Sequence, residues 1–281
     1  MRINTNVSSL TAQEAAKSTN NSISHSLEKL STGLKINKAS DDASGLAIAD
    51  KLRTQVTSIN QGVSNGNSAI ALLQIADKSM AEQSKILDTV KSKLIQANTD
   101  TTSADGRESI RKDITKLLTQ LDNIAVQTNY NGTNLLQSSR VANTTLTSLT
   151  FQVGENSGDT ISTSAIRANT SGYSLATLKG LAADGLTKVV ATSGQAKVDT
   201  AITTLNGYRG DIGSTQNQVE SAVRNLMTQS TNIKAAESVI RDVDYAEESA
   251  NFNKLNIISQ AGSYAISQSN AVSQNVLRLL Q

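Results

Sequence analysis

Apolar residues recur at every seventh position over about forty residues near the C-terminal end of the chain. The row has no break, and it consists of Val198, Leu205, Ile212, Val219, Leu226, Ile233 and Ile240. A sustained heptad row is typical of one long helix that packs against a partner helix. The chain contains no proline, so no ring interrupts the backbone hydrogen bonds of this pattern. The pattern predicts a helix of about 60 Å, at about 1.5 Å per residue.

Two earlier segments carry matching patterns and supply the partner helices. One heptad row, broken at Gly66, is formed by Leu52, Ile59, Leu73, Met80, Leu87 and Leu94, with a second row of Val56, Val63 and Ile70. After a polar loop at 98–106, a third helix has apolar residues at Ile110, Ile114, Leu117, Leu121 and Ile124. The predicted fold is therefore mainly α, a long antiparallel coiled coil or helix bundle formed by both chain ends.

The period changes from helical to two in the middle of the chain. Leu149, Phe151 and Val153 alternate with polar residues, the turn residues 154–159 follow, and Thr160-Ile161-Ser162 completes one small β-hairpin region. Residues 167–195 are rich in Gly, Ser, Thr and Ala with weak periodicity, which favours a short exposed insertion. The chain is therefore predicted to divide into five segments. These are an N-terminal helical segment at 1–40, a helical bundle with the hairpin at 41–166, the insertion at 167–195, a long bundle helix at 196–240 and a C-terminal helical segment at 241–281.

Each terminus carries a narrow apolar stripe. The N-terminal stripe comprises Ile3, Val7, Leu10, Ile23, Leu27, Leu30 and Leu34, and the C-terminal one comprises Ile258, Ala261, Ala265, Val272, Val276 and Leu279. Helices in proteins are stabilised mostly by packing of such a face, and these stripes are too narrow to form a monomeric core. We therefore expect both terminal helices to pack against neighbouring copies of the chain and to drive self-assembly.

Composition argues against several classes of function. The chain has no cysteine and one histidine, His25, which excludes thiolate and zinc–thiolate chemistry and leaves no recognisable catalytic set. Its net charge of +2, with signs interspersed, favours no nucleic-acid partner. No apolar run approaches the ~18 residues of a membrane span. The sequence therefore predicts no enzyme activity, no cofactor and no membrane insertion.

Two local motifs have structural interpretations. Ser40-Asp41-Asp42-Ala43 is typical of a helix N-terminus, with Ser40 as the expected cap and the acids favoured by the helix dipole. Gly62 and Gly66, four residues apart in a helical pattern, indicate either a close approach of another backbone or a locally weak helix.

Several stretches together resemble one protein family. Met1-Arg2-Ile3-Asn4-Thr5-Asn6 opens the chain, and Leu30–Asn37, Ser40–Ala49, Asn129-Tyr130-Asn131-Gly132-Thr133, Asp244–Glu248 and Gln274–Leu280 follow in order. These motifs resemble those of bacterial flagellins over roughly residues 1–165 and 190–281. The short middle of this chain implies that large outer domains are missing.

The resemblance implies a subunit of the extracellular flagellar filament. Its terminal helices would pair in the inner coiled-coil layer, and it would be exported by the flagellar secretion apparatus without a cleaved signal peptide. An export chaperone, a filament cap protein and a hook–filament junction protein are the implied partners besides other copies of the chain. Two alternatives stay open: the junction protein itself, and a coiled-coil adaptor or adhesin unrelated to flagella.

One functional motif of the resemblance is degenerate here. Many flagellins carry an Arg and a Leu on the second helix and a Glu on the third, which vertebrate innate receptors recognise. The matching positions in this chain are Thr89, Lys93 and Asp113. Because threonine lacks the bidentate fork of arginine, we expect weak receptor activation.

Overall fold

The computed structural model of the chain describes residues 5–137 and 148–279, and their side chains except those of 273 and 276–279. The helices in this part of the chain are α1 (Val7–Thr32), α2 (Ala43–Ala97), α3 (Ala104–Gln127), α4 (Ala176–Lys179), α5 (Lys188–Arg241) and α6 (Tyr245–Leu279). The strands are β1 (Asn129–Tyr130), β2 (Thr133–Asn134), β3 (Thr150–Gln152) and β4 (Thr160–Ser162). The predicted mainly α class is confirmed.

The described residues form two compact units. The terminal unit takes the described parts of Met1–Val56 and Thr231–Gln281, and the central unit takes those of Thr57–Ser230. Helices α2 and α5 therefore each contribute residues to both units. None of the described helices combines the length and the continuous apolar character that a membrane span requires.

In the central unit, α2 and α5 run antiparallel. Ion pairs join them in opposite order along the two helices, which indicates the antiparallel direction. These pairs are Asp77 with Arg209 at 2.8 Å, Lys91 with Asp199 at 2.6 Å and, from the loop after α2, Asp100 with Lys188 at 2.6 Å. The predicted heptad rows lie between the helices and are buried at Leu73, Met80, Leu87, Leu94, Val198, Leu205, Ile212 and Val219.

The predicted hairpin is present, and a second one accompanies it. Strands β3 and β4 are antiparallel with Phe151 opposite Ile161. Strands β1 and β2 pair around a two-residue turn, Asn131-Gly132, whose φ angles of 50° and 81° are both positive. Asn-Gly is the preferred sequence for a turn of this type, so this dipeptide was the available signal for the second hairpin.

The two glycines of α2 lie where other elements come close. A Cβ added at Gly62 would be 2.3 Å from the carbonyl oxygen of Val153, just after β3, and one at Gly66 would be 2.4 Å from Cγ2 of Val223 in α5. Both distances are far below ordinary van der Waals contact. The close-approach interpretation is therefore the correct one of the two.

The expectation that residues 167–195 form an exposed insertion is wrong. Ala168, Tyr173, Leu175 and Leu178 are buried in the core of the central unit, and α5 begins at Lys188. Ala168, Tyr173 and Leu175 sit on irregular backbone and Leu178 lies in the four-residue helix α4, so these residues show no sustained helical or strand period. Periodicity alone therefore could not detect their burial.

Buried polar side chains bind the backbone of this segment. Asp122 of α3 is fully buried, and its carboxylate accepts from the Thr170 amide at 2.7 Å, the Thr170 hydroxyl at 2.9 Å and Lys179 Nζ at 2.6 Å. Gln83 of α2, also fully buried, donates to the Ala168 carbonyl at 2.8 Å. These bonds satisfy backbone groups that would otherwise be costly to bury.

Glu108 of α3 contributes a further attachment near the other end of the segment. Arg111 donates two hydrogen bonds of 2.7 Å to its carboxylate, and Arg111 also donates to the Leu181 carbonyl at 3.0 Å. The amide of Asp184 donates to Glu108 at 3.2 Å. The Arg111 guanidinium and this amide lower the pKa of Glu108 from 4.5 to about 2.

This depressed pKa predicts an acid-dependent loss of stability. A carboxylate with a lowered folded-state pKa stabilises the fold above its unfolded pKa, and the contribution disappears as the pH falls toward the folded-state pKa. We expect the urea midpoint of the wild type to decline between pH about 4.5 and about 2, and Glu108→Gln to decline less steeply. Glu82→Gln, which alters an exposed pair with Lys85, is the control and should follow the wild type. Parallel curves for Glu108→Gln and wild type would contradict the assignment.

In the terminal unit, α2 has a different cap from the predicted one. The helix begins at Ala43, and Asp42 rather than Ser40 accepts the amides of Ser44 and Gly45, both at 3.0 Å. Ser40 lies too far before the first turn to reach them. Asp41 instead accepts the backbone amides of Lys38 and Asn37, which lower its pKa.

Candidate self-assembly surface on the terminal helices

Helices α1 and α6 form an antiparallel pair in the terminal unit. Polar contacts between them run in opposite order along the two chains: Asn6 with Ser269, Asn20 with Ser259 and Ser26 with Glu248. The side-chain amide of Asn6 donates to the Ser269 carbonyl at 3.2 Å and to the Ser269 hydroxyl at 3.3 Å. Because each contact joins specific partners, the set favours a single register of the pair.

A short backbone bridge brings the pair together at one end. Gly33 ends α1 with a φ of 73°, a left-handed conformation that suits glycine. Lys35 then donates its amide to the Arg241 carbonyl at 2.6 Å, and the Val243 amide donates to the Gly33 carbonyl at 3.0 Å. This bridge connects the chain after α1 to the chain just before α6.

The surface between α1 and α6, which we call the seam, is made mainly of small and polar side chains. Its positions are spaced three and four residues apart and are buried or half-buried. They include Ser9, Ala12, Ala16, Thr19, Ile23, Ser26 and Leu30 on α1, and Glu248, Phe252, Leu255, Ser259, Gly262, Ile266 and Ser269 on α6. At Gly262 an added Cβ would lie 4.0 Å from that of Ala16, so the helices approach closely there.

Several large apolar side chains of the two helices lie outside the seam. Val7 is 62% exposed, Leu10 54% and Leu27 54% on α1, while Ile257 is 67% and Tyr264 73% exposed on α6. We call the surface outside the seam that carries these five residues, with Ile258 and Val272, the outer apolar face. A concentration of exposed large apolar side chains on two paired helices favours association with other proteins.

The predicted self-assembly residues divide between these two surfaces. Ile23, Leu30 and Leu34 are half-buried, whereas Val7, Leu10, Leu27, Ile258, Ala261, Ala265 and Val272 are exposed. Ile3 lies outside the described residues, and so do the side chains of Val276 and Leu279. Sequence reasoning missed the small residues of the seam: on α1 it sought large apolar residues, and on α6 it selected Ala261 and Ala265, which are exposed, in place of Gly262 and Ile266. Small residues at heptad spacing were the signal that could have found them.

The three receptor-motif positions come together on the central unit. Lys93 of α2 pairs with Asp113 of α3 at 3.0 Å, and both side chains are partly exposed. Thr89 lies one turn before Lys93, and its hydroxyl donates to the Lys85 carbonyl at 2.9 Å. The surface at these positions therefore presents an ion pair and a threonine whose hydroxyl already donates a hydrogen bond within its own helix.

Among the described residues, no group of three His, Cys, Asp or Glu side chains is arranged to hold a metal ion. The acidic side chains with lowered pKa are bound to backbone amides or cations, as at Asp41, Asp100 and Glu108. These hydrogen bonds account for the lowered pKa values, so the three carboxylates have structural roles.

Comparison with known proteins identifies a family at both ends of the chain. The family model for the bacterial flagellin N-terminal helical region matches residues 3–140, and that for the C-terminal helical region matches residues 195–280. The chain is 35% identical to a flagellin of Bacillus subtilis (strain 168) over 304 residues, covering 100% of both chains. It is 34% identical to the flagellar filament 33 kDa core protein of Treponema phagedenis over 293 residues, again covering 100% of both.

A solved structure assigned as a flagellar hook-associated protein from Vibrio parahaemolyticus also resembles this chain. It is 12% identical, with a TM-score of 0.59 over 72% of this chain and 99% of that one. At this identity the likeness concerns the fold alone. The family matches and the full-length relatives carry the assignment: the chain belongs to the bacterial flagellin family, the structural proteins of the extracellular flagellar filament.

Proposed function

We propose that this chain polymerises into a filament through the outer apolar face of its paired terminal helices. The observation that carries the proposal is the division of side chains on α1 and α6. The seam uses mostly small and polar residues, and the large apolar side chains of Leu10, Leu27, Ile257 and Tyr264 are left exposed. In a filament, contacts between copies would cover them.

The energetics favour this use of the face. Burying a large apolar side chain completely is worth about 1.5–3 kcal/mol. Several such residues on each copy can offset the loss of translational and rotational freedom on association, which costs roughly 4–15 kcal/mol. The seam of the isolated pair contains few large apolar side chains, such as Ile23, Phe252 and Ile266, and these are only half-buried, so its own packing supplies limited stabilisation.

Substitution of the outer apolar face tests the proposal. We expect the combined Leu10→Gln, Leu27→Gln and Tyr264→Gln variant to lose extension of filament seeds while keeping a helical circular dichroism spectrum. Because these side chains are exposed in the single chain, each substitution should change folding stability by about 0.5 kcal/mol or less. Negative-stain electron microscopy after addition of short seeds measures the growth.

A control variant separates the apolar face from helix exposure in general. Gln13→Ala, Ser24→Ala and Gln260→Ala change exposed polar positions of the same helices and should extend seeds as the wild type does. Normal growth of the apolar-face variant would overturn the proposal. If the folded wild type itself failed to extend seeds, the hook–filament junction role would become the better interpretation.

The partners and export route follow from the resemblance to the family. We infer that an export chaperone binds the C-terminal helical segment, that a cap protein guides insertion of subunits and that a junction protein connects the filament to the hook. We also infer export through the flagellar secretion apparatus and no catalytic activity. Pull-down of the chaperone by the full chain, but not by a chain without residues 241–281, would test the first of these.

Weak activation of the vertebrate flagellin receptor is a further part of the proposal. Lys93 is paired with Asp113, and Thr89 carries no guanidinium group. This surface therefore offers neither the arginine contact nor the leucine contact of the motif. In a receptor reporter assay we expect the wild type to be a poor activator. The combined variant Thr89→Arg, Lys93→Leu and Asp113→Glu should be a stronger one.

A control substitution on the same face sharpens this test. Lys85→Arg alters an exposed cation one turn away and should leave receptor activity unchanged. Potent activation by the wild type would contradict the expectation, and so would a failure of the restored motif to raise activity.

A further inference from the structure

The chain contains three Asn-Gly dipeptides, and the structure places them in different backbone conformations. Asn65-Gly66 lies within α2, Asn206-Gly207 lies within α5, and Asn131-Gly132 forms the turn between β1 and β2. Asn-Gly is the dipeptide most prone to spontaneous deamidation, because glycine has no side chain to hinder attack by its own nitrogen. We propose that Asn131 is a site of spontaneous deamidation and isoaspartate formation in the folded protein, and that the two helical asparagines are protected.

The turn leaves Asn131 and Gly132 free to react. Both residues are exposed, and nothing lies within 4 Å of the position that a Cβ on Gly132 would occupy. The ladder bonds of a two-residue hairpin loop belong to the flanking pair, here Tyr130 and Thr133, so the Gly132 amide is not needed for them.

Local opening of this hairpin is also easy. Strands β1 and β2 are joined by two residue pairs only, and a two-stranded hairpin has little stability of its own. The conformation in which the Gly132 nitrogen reaches Cγ of Asn131 therefore requires disruption of few contacts.

The helical dipeptides are held away from this conformation. Inside an α-helix each amide is bonded to the carbonyl four residues earlier, so the glycine nitrogen cannot turn toward the preceding side chain. Asn65 is further held by a hydrogen bond to the Gln152 carbonyl at 3.1 Å, and Gly66 is buried. Asn206 and Gly207 are exposed with open space around Gly207, so this pair differs from Asn131-Gly132 mainly in backbone conformation.

The reaction needs only water. The Gly132 nitrogen loses its proton and bonds to Cγ of Asn131, the Cγ–Nδ2 bond breaks, and Nδ2 leaves as ammonia with the transferred proton. Water then opens the cyclic imide at either carbonyl, which produces aspartate or isoaspartate. Because the attacking nitrogen must be deprotonated, the rate rises with pH.

The product would alter the hairpin. Isoaspartate routes the main chain through the side-chain carbon and so lengthens a two-residue turn, while either product adds a negative charge. The end of β2 leads directly to Leu135 and Leu136, which are buried, and the Leu135 amide donates to the Thr128 carbonyl at 3.0 Å. We therefore expect the modification to loosen the β1–β2 pairing next to the core.

Peptide mapping by mass spectrometry tests the proposal on the full chain incubated at mildly alkaline pH. In the folded protein we expect deamidation at Asn131 to exceed that at Asn206 by roughly tenfold or more, the ratio given by about 1.4 kcal/mol of difference in local opening. In urea the three dipeptides should react at similar rates. Chromatographic separation of the isomeric peptides would identify the isoaspartate.

Asn131→Gly is the control variant, since glycine accepts the positive φ of that position and carries no amide. It should remove the modification at the turn and leave the other two sites unchanged. Equal rates at Asn131 and Asn206 in the folded protein would overturn the proposal, as would faster reaction at Asn206.

Discussion

Asp122→Ala should lower the free energy of unfolding of the central unit by about 3 kcal/mol, a value at the low end of the range observed when one member of a buried ion pair is removed. The carboxylate is fully buried and is the acceptor for Lys179 Nζ and for both the amide and the hydroxyl of Thr170. Its removal leaves the Thr170 amide and hydroxyl buried without their acceptor. Lys179 keeps 28% of its side-chain exposure and can regain some hydration, so the low end of the range applies.

Two further variants make this expectation specific. Asp122→Asn keeps an acceptor for the Thr170 amide and loses only the charge, so a smaller loss of about 1–2 kcal/mol is expected. Asp199→Ala breaks an exposed pair with Lys91 and should cost about 1 kcal/mol or less. Urea unfolding followed by circular dichroism measures all three. Equal costs for Asp122→Ala and Asp199→Ala would mean that the buried attachment of residues 167–187 does not stabilise the unit.

Gly62→Ala should destabilise the central unit by about 1–3 kcal/mol, although alanine is the better helix former. The new methyl group would meet the Val153 carbonyl oxygen at 2.3 Å, and a backbone atom cannot rotate away as a side chain can. Either α2 or the hairpin of β3 and β4 must shift. We expect a lower urea midpoint and faster hydrogen exchange in the hairpin.

Gly210→Ala provides the matched control for this substitution. Gly210 also lies within a long helix, but nothing is within 4 Å of the position of its added Cβ. The helix propensity of alanine should then dominate and stabilise the protein by about 0.5–1 kcal/mol. The two Gly→Ala changes are therefore predicted to have opposite signs. A stabilising Gly62→Ala would show that the hairpin can move at little cost.

Local sequence patterns were sufficient for the long helices and for one hairpin. The heptad rows of α2 and α5 predicted long helices and their buried residues, because a helix repeats its environment every few positions. The hairpin of β3 and β4 followed from alternation with period two. The cap of α2 was assigned to the wrong residue, since Ser40 and Asp42 are both good cap residues and only the backbone path chooses between them.

The order of residues alone established where the long helices run, that apolar residues mark both termini and, through its motifs, the family of the chain. Which helix faces are used depended on the tertiary structure. It placed small residues such as Ser26 in the seam of α1 and α6, left Leu10 and Tyr264 exposed, and buried the irregular segment around Thr170 against Asp122. The physical reason is that these contacts join residues far apart in the chain. Their stability depends on the distance and direction between partners, which no local pattern records.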